Sequence, residues 1–153
     1  MNERDDDREV RRAIRIDASP ATVFAFLTDP ARMRAWLAQS VVAEPAPGGR
    51  FRISEPGGTA IEGRYVEVVT DRKVVFTWGG VEGLAPGQST VEIVLEADGD
   101  GTQLTLRHYG LPPSAREAHD MGWLHSGLPK LRAAAEGRDP GGFCLSDLAN
   151  ARR

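Results

Sequence analysis

The stretch HDMGWLHSGLPKL, residues 119–131, places two glycines, a proline and a tryptophan inside a segment that should be helical. Pro129 has no backbone N–H to donate to the carbonyl of His125, and its ring crowds that turn of a regular α-helix. One extra residue, accommodated as a π-bulge near His125–Leu128, relieves the conflict, and such bulges often mark functional sites. We therefore predict a bulged helix at this position.

The bulge decides which residues of this helix face the rest of the protein. A regular helix, with about 100° per residue, places on one stripe Met121, Leu124, Leu128, Leu131 and Ala135. The bulged helix aligns instead His119, Trp123, Leu128, Leu131 and Ala135. We expect the bulged alignment.

Gly122 and Gly127 weaken this helix, because glycine inside a helix costs about 1 kcal/mol relative to alanine. Two explanations stay open. The glycines allow the helix backbone to approach the sheet closely, or they leave room for a ligand beneath a curved sheet. The two are compatible, since a helix can pack tightly at one end and leave a cavity at the other.

Upstream, the chain alternates between strand and helix signals. VRRAIRI, residues 10–16, has the alternation of a strand. Ser19-Pro20 and Asp29-Pro30 each combine a capping side chain with a proline at the first helical position, so two short helices follow. From residue 40 the pattern has a period of two, and the strands are separated by glycine, proline and aspartate turns.

These elements define the fold class. Strands segregated from helices and joined by short turns predict an α+β domain with an antiparallel sheet of six to seven strands. The long C-terminal helix must cover the concave face of that sheet. We expect a flexible arm over residues 1–8, one domain over 9–137 and a tail over 138–153, with one helical turn near Leu145–Leu148.

Composition excludes several classes of function. The chain has 153 residues, 41% apolar and 27% charged, with a net charge of −3. This balance predicts a globular protein that binds no nucleic acid and inserts into no membrane. The N-terminus is acidic and lacks the apolar core of a secretory signal, and there is a single cysteine. We expect a cytoplasmic protein.

Residues with catalytic or metal-binding chemistry form no recognised pattern. His119 and His125 lie about 240° apart around a regular helix, so they do not share a face. No HExxH or CxxC spacing is present, and Cys144 has no evident base beside it. His108 and His119 could pair, although a structural role is the simpler interpretation. The sequence predicts no metal, no cofactor and no catalytic residue.

Aromatic side chains give the stronger signal. They come from the second short helix, from several strands and from the long helix, and rings that converge in this way often line an apolar pocket. Plain core packing explains them equally well. The predicted ligand-binding residues are Trp36, Phe51, Ile53, Tyr65, Phe76, Trp78, Leu106, His108, His119, Trp123 and Gly127.

The order of these segments resembles a known family. SPATVFAFLTDPARMRAWL, PGGRFRI, EGRYVEV, KVVFTW, STVEIVLE, GTQLTLRHYGL and HDMGW with LPKL are similar to the START-like SRPBCC superfamily. The similar branch is the one related to the C-terminal domain of the activator of heat shock protein ATPase. The resemblance implies a helix-grip fold, a cavity between sheet and helix, and hydrophobic ligands. The family commonly has one residue fewer after the GW pair, which again predicts the bulge.

Three functions follow, in order of preference. The first is non-catalytic binding of an apolar or aromatic, even lipid-like, small molecule by a monomer or weak homodimer. The second is a polyketide-cyclase-like or hydrolase-like enzyme, which needs His108, His119 and Glu62 to face one cavity. The third is a regulator of a chaperone ATPase, which needs an exposed apolar patch on RYVEV or RRAIRI.

Overall fold

The computed structural model describes residues 8–81 and 83–149. Seven strands are present: β1 Glu9–Ile16, β2 Ser40–Ala43, β3 Arg50–Ser54, β4 Ala60–Val69, β5 Lys73–Trp78, β6 Ser89–Asp98 and β7 Gly101–Tyr109. The helices are α1 Pro20–Thr28, α2 Pro30–Met33, α3 Pro113–Gly122, α4 Leu128–Ala135 and α5 Leu145–Ala149. A π-helical segment, Trp123–Gly127, joins α3 to α4.

The strands form one antiparallel sheet in the order β1-β7-β6-β5-β4-β3-β2. Consecutive strands pair as neighbours from β2 to β7, and β1 closes on β7. A bulge in β4 between Tyr65 and Glu67 shifts the register against β5, and such bulges bend a strand and increase its twist. The predicted α+β helix-grip architecture is confirmed.

Both short helices begin where the capping residues predict. The Ser19 hydroxyl accepts a hydrogen bond from the Thr22 amide at 3.2 Å, and the Asp29 carboxylate accepts one from the Ala31 amide at 3.0 Å. Helix α2 is shorter than the pattern indicates, because the chain turns after Met33. Trp36 lies in that turn, where its indole N–H donates to the Phe26 carbonyl at 3.0 Å.

The predicted bulge is present in the long helix. The Leu128 amide donates to the carbonyl of Trp123, five residues earlier, and Pro129 follows at the start of α4. The alignment is the bulged one, since Leu124 of the regular stripe is 36% exposed. The buried stripe consists of His119, Trp123, Leu128, Leu131 and Ala135.

The chain beyond residue 137 packs back onto the domain. The amides of Cys144 and Leu145 donate to the carbonyls of Trp36 and Leu37, each at 3.0 Å. Cys144, Leu145 and Leu148 are buried in the main core, and the predicted helical turn is found as α5. The limit of the domain at residue 137 stays a prediction. The predicted arm lies largely outside the described residues, which begin at Arg8.

None of the helices in the described part of the chain has both the length and the apolar character that crossing a bilayer requires.

Candidate functional site

The predicted aromatic residues do come together between the sheet and the long helix. Phe51 of β3 stacks on Phe76 of β5 with ring centroids 4.3 Å apart, and Tyr65 of β4 meets Phe51 edge-on at 5.8 Å. The ring centroids of Trp78 in β5 and Trp123 in the π-helical segment lie 5.7 Å apart. All eleven predicted residues are buried. Ile53, Tyr65 and Leu106 belong to the packed core of the sheet.

The space that these rings enclose is nearly full. The void bounded by Trp36, Phe51, Phe76, Trp78 and Trp123, with their aliphatic neighbours, measures about 10 Å³. A single buried water needs roughly 10–15 Å³. In the part of the chain that the structure describes, the space among these rings is therefore too small for a ligand, because the rings pack against one another. Assignment of these residues as ligand contacts stays a prediction.

Gly127 and Gly122 are explained by close packing. A Cβ on Gly127 would lie 2.6 Å from Cε3 of the Trp123 ring, and one on Gly122 would lie 2.8 Å from Cδ2 of Leu148. The neighbours are thus an aromatic ring of the same helix and a side chain of α5. The expected close packing at the two glycines is present. The groups packed against them are Trp123 and Leu148, however, and not the sheet.

Two indole groups hold two buried histidines. The Trp123 indole N–H donates to Nδ1 of His108 at 3.1 Å. Nε2 of His108 lies 2.8 Å from the Ser89 hydroxyl, which itself donates to the Trp78 carbonyl at 2.8 Å. Since the hydroxyl proton is already used, His108 must donate from Nε2 and accept at Nδ1. The imidazole is therefore held in its neutral form.

His119 is held in the same manner with the opposite tautomer. Its Nδ1 lies 2.9 Å from the Ala115 carbonyl, which can only accept, so Nδ1 carries the proton. Its Nε2 accepts from the Trp78 indole N–H at 3.4 Å. The His108 and His119 rings meet edge-on with centroids 5.0 Å apart.

The surroundings keep both histidines uncharged. Burial lowers the pKa of His108 well below its ordinary value, and His119 lowers it further. Burial also lowers the pKa of His119, although its hydrogen bond to the Ala115 carbonyl opposes that change. A histidine that accepts a proton in catalysis needs one ring nitrogen that is free and faces the substrate. Both nitrogens of each ring are already used.

Glu62, the third residue of the enzyme hypothesis, has its side chain on the other face of the sheet. Its neighbour Ile61 is buried in the core, so alternation along β4 directs the Glu62 side chain outward. There it lies 3.4 Å from the Arg52 guanidinium, its cross-strand partner. Glu62 and His119 both border a recess at one end of the sheet, but the buried His108 does not, so the three residues do not face one cavity. The described residues contain no cluster of three metal-ligating side chains.

A large recess does exist, at one end of the sheet, and we call it the cleft. Its volume is about 700 Å³. One wall is the start of β4 and the loop after β5, and the opposite wall is α3 with Leu148 of α5. The lining consists of Gly58, Thr59, Ala60, Glu62, Gly80, Val81, Gly83, Pro86, Ser114, Ala115, Ala118, His119 and Leu148.

His119 connects the cleft with the interior. It is the one predicted binding residue that lines the cleft, and its ring also meets Trp78 in the core. The prediction did not include the small residues Ser114, Ala115 and Ala118 on the same face of α3. Their spacing of three and four residues, ending at His119, was the available signal. The rest of the lining comes from loops that carry no such pattern.

Comparison with known proteins agrees with this architecture. Residues 17–136 match the family described as Activator of Hsp90 ATPase homolog 1-like protein. The chain belongs to this AHSA1-like family. A search among curated proteins finds no match to the sequence.

Solved structures of similar proteins include an AHSA1-like protein from Rhizobium etli, 41% identical, with a TM-score of 0.69 over 87% of this chain and 84% of that one. The Aha1 dimer from Colwellia psychrerythraea is 19% identical, with a TM-score of 0.72 over 84% and 96%. DynU16, a protein of the dynemicin biosynthetic locus, is 23% identical, with a TM-score of 0.73 over 87% and 49%. The last two show the fold alone.

Proposed function

We propose that this AHSA1-like protein is a non-catalytic binding module that takes up a small, largely apolar molecule in the cleft beside His119. The observation that carries the proposal is the contrast between the two spaces, about 700 Å³ in the cleft and about 10 Å³ in the interior. Pockets for small ligands commonly measure about 300–1,000 Å³. The fold is compatible with ligand binding, and of these two spaces the cleft has a volume in that range.

The chemistry of the lining defines the kind of ligand. Ala60, Val81, Pro86 and Ala118 offer apolar surface, and the Glu62 side chain borders it. Burying about 300 Å² of apolar ligand surface contributes on the order of 7 kcal/mol before the costs of ordering. The hydroxyl groups of Thr59 and Ser114 can orient one polar group of the ligand. A compact aromatic or alicyclic molecule with a single polar substituent fits this surface.

Binding without catalysis is supported by the state of the two histidines. Each imidazole is neutral, and each of its nitrogens is committed to a partner in the fold. Protonating Nδ1 of His108 would require breaking the hydrogen bond from Trp123. We therefore assign His119 to the wall of the cleft and His108 to the core behind it, and neither to proton transfer.

The proposal is tested by thermal shift against a library of small aromatic and alicyclic compounds. Wild-type protein should be stabilised by a subset of them. Ala118→Trp should abolish that stabilisation, because the indole would occupy the cleft. Glu117→Trp is the matched control, since Glu117 is the exposed neighbour on the same helix, and it should bind as wild type does. No stabilisation by any compound, or equal loss in both variants, would contradict the proposal.

Regulation of a chaperone ATPase is a second candidate, and the family match favours it. An apolar patch for a partner would have to include Val66 and Val69 of β4, which are 52% and 38% exposed. The surface beside them is charged, since Lys73 lies between Glu67 and Glu92 at 3.1 and 3.4 Å. Adding the protein to a bacterial Hsp90 should change its rate of ATP hydrolysis if this candidate is correct. Val66→Asp should then remove the effect, while Ala118→Trp should not.

The remaining expectations belong to the same proposal. We place the protein in the cytoplasm as a monomer or weak homodimer. A relative from Colwellia psychrerythraea is a dimer. Sedimentation over a range of protein concentrations distinguishes the two states.

A further inference from the structure

A second recess, which we call the arginine groove, lies on the outer face of the sheet where β3 and β4 meet the loop before β6. Its volume is about 450 Å³. The lining contains Arg50, Phe51, Arg52, Glu62, Gly63, Arg64, Thr77, Pro86 and Gly87. Three of these residues are arginines, although the whole chain has a net charge of −3. The positive charge is therefore concentrated here against the overall balance.

Two of the arginines face each other directly. Arg50 of β3 and Arg64 of β4 are cross-strand partners, and both are exposed. Like charges directly opposite each other destabilise an antiparallel pair. Within residues 8–81 and 83–149, neither guanidinium forms a salt bridge with a carboxylate. Among the described residues, the Arg64 guanidinium donates to the Gly48 carbonyl, at 2.9 Å, and to no other acceptor.

The other charged groups neutralise the groove only in part. Arg52 lies 3.4 Å from Glu62 and 3.3 Å from the Ser54 hydroxyl. The nearby Glu44 carboxylate accepts from the backbone amide of Arg50 at 2.8 Å and does not line the groove. Three guanidinium groups and one carboxylate leave the lining with a net charge of +2.

A hydroxyl donor completes the set. Thr77 Oγ1 accepts from the Arg64 amide at 2.9 Å. Among the hydrogen bonds of the described residues, none uses the hydroxyl proton of Thr77 as donor. That proton remains available to an oxygen placed in the groove. Guanidinium forks with an added hydroxyl donor are the groups that recognise phosphate.

We propose that the arginine groove binds a phosphate group, held between Arg50 and Arg64. A phosphate monoester carries a charge of about −1.5 to −2 at neutral pH, which matches the net charge of the lining. The bound anion would cancel the repulsion between the two facing arginines. The groove adjoins the cleft, because Glu62 and Pro86 border both, but its proposed ligand does not depend on occupation of the cleft.

The test is a two-dimensional ¹H–¹⁵N NMR titration of the whole chain with inorganic phosphate at about pH 8, where the group is dianionic, at constant ionic strength. Saturable shifts should appear at the amides of Gly63, Arg64 and Gly87. Acetate, a monoanion, should bind at least about tenfold more weakly. Phenyl phosphate distinguishes a phosphate ester from free phosphate as the ligand of the groove. If it binds as tightly as inorganic phosphate, the groove accepts an ester; if it does not bind, the groove accepts free phosphate.

Arginine variants show whether phosphate binds at the arginine groove or at arginines elsewhere on the surface. Arg50→Gln and Arg64→Gln should each weaken phosphate binding at least about tenfold. Arg15→Gln is the matched control, since Arg15 is an exposed arginine on β1 at the other edge of the sheet, and it should stay within about twofold. Absence of saturable shifts, or an equal loss with Arg15→Gln, would overturn the proposal. Ligand binding in the cleft, read with Ala118→Trp, is unaffected by either result.

Discussion

Gly127 shows at the scale of one residue how this interior is closed. Glycine within a helix is normally replaced by alanine with a gain in stability. Here the position faces the Trp123 ring at a distance that leaves no room for a methyl group. Gly127, which the sequence analysis allowed as space for a ligand, therefore makes room for the Trp123 ring.

Gly127→Ala should consequently destabilise the protein by about 1–3 kcal/mol, because overpacking forces Trp123 out of place. Urea unfolding followed by tryptophan fluorescence measures the change. Leu124→Ala is the control on the same helical stretch, since Leu124 is 36% exposed, and it should cost under about 1 kcal/mol. A Gly127→Ala protein as stable as wild type would contradict close packing at this position.

His108 and His119 should make stability depend on pH. Burial lowers the pKa of both in the folded state, whereas the histidines of the unfolded chain take up protons at about pH 6.5, as free histidine does. Below about pH 6.5 the unfolded state gains protons that the folded state excludes. The free energy of unfolding then falls by up to about 1.4 kcal/mol per pH unit for each histidine.

Urea unfolding at a series of pH values from about 7.5 to 5.5 measures that fall. His125→Gln is the control, because His125 is exposed on the π-helical segment, and it should keep the wild-type dependence. Equal stability of the wild type across the whole range would show that the two rings are not held neutral.

At the scale of elements, the effect of the extra residue in the bulge can be separated from the effect of Pro129. The π-helical segment accommodates one extra residue, and Pro129 follows it near the start of α4. We expect the proline to disfavour the regular helix, because it lacks an N–H and its ring crowds the preceding turn. Deleting Leu124 should force a regular turn in which Pro129 clashes with the His125 carbonyl. Deleting Leu124 together with Pro129→Ala should be more stable than the deletion alone by about 3 kcal/mol. Equal urea midpoints for the two deletion proteins would show that the proline is not the cause.

A partly buried ion pair joins β1 to α3. Arg12 donates to both oxygens of Asp120, at 2.7 and 2.9 Å, and Asp120 is 7% exposed. Asp120→Asn should cost about 1.5–3 kcal/mol in urea unfolding, because it weakens a charge-assisted bidentate pair. Asp98→Asn tests the exposed pair with Arg15 and should cost under about 1 kcal/mol. A similar loss in the free energy of unfolding for both variants would contradict a larger contribution from the Arg12–Asp120 pair.

The sequence predicted what local chemistry determines. Ser19-Pro20 and Asp29-Pro30 specify helix starts, strand alternation specifies the sheet, and Pro129 specifies the bulge. Two aspects could not be predicted. The volume between Phe51, Trp78 and Trp123 depends on how the rings stack, which composition does not encode. The cleft combines turns, α3 and a segment near the C-terminus, and no pattern along the chain links those parts.

At the scale of the whole molecule, the described residues leave about 10 Å³ among the central rings between sheet and helix, and about 700 Å³ in the cleft at one end. The Trp78–His119 contact forms the boundary between the packed interior and the cleft. The outer face of the same sheet carries the arginine groove. The aromatic rings between the sheet and the long helix thus fill the centre of the fold.

The most direct test is a ¹H–¹⁵N NMR spectrum recorded with a stabilising compound from the library. Binding in the cleft should shift the amides of Gly80, Ala115 and Ala118 and leave the indole N–H signals of Trp36 and Trp123 in place. The opposite pattern, with the two indole signals shifted and the cleft amides unchanged, would mean that the ligand enters between sheet and helix, and it would contradict the assignment of the cleft as the binding site.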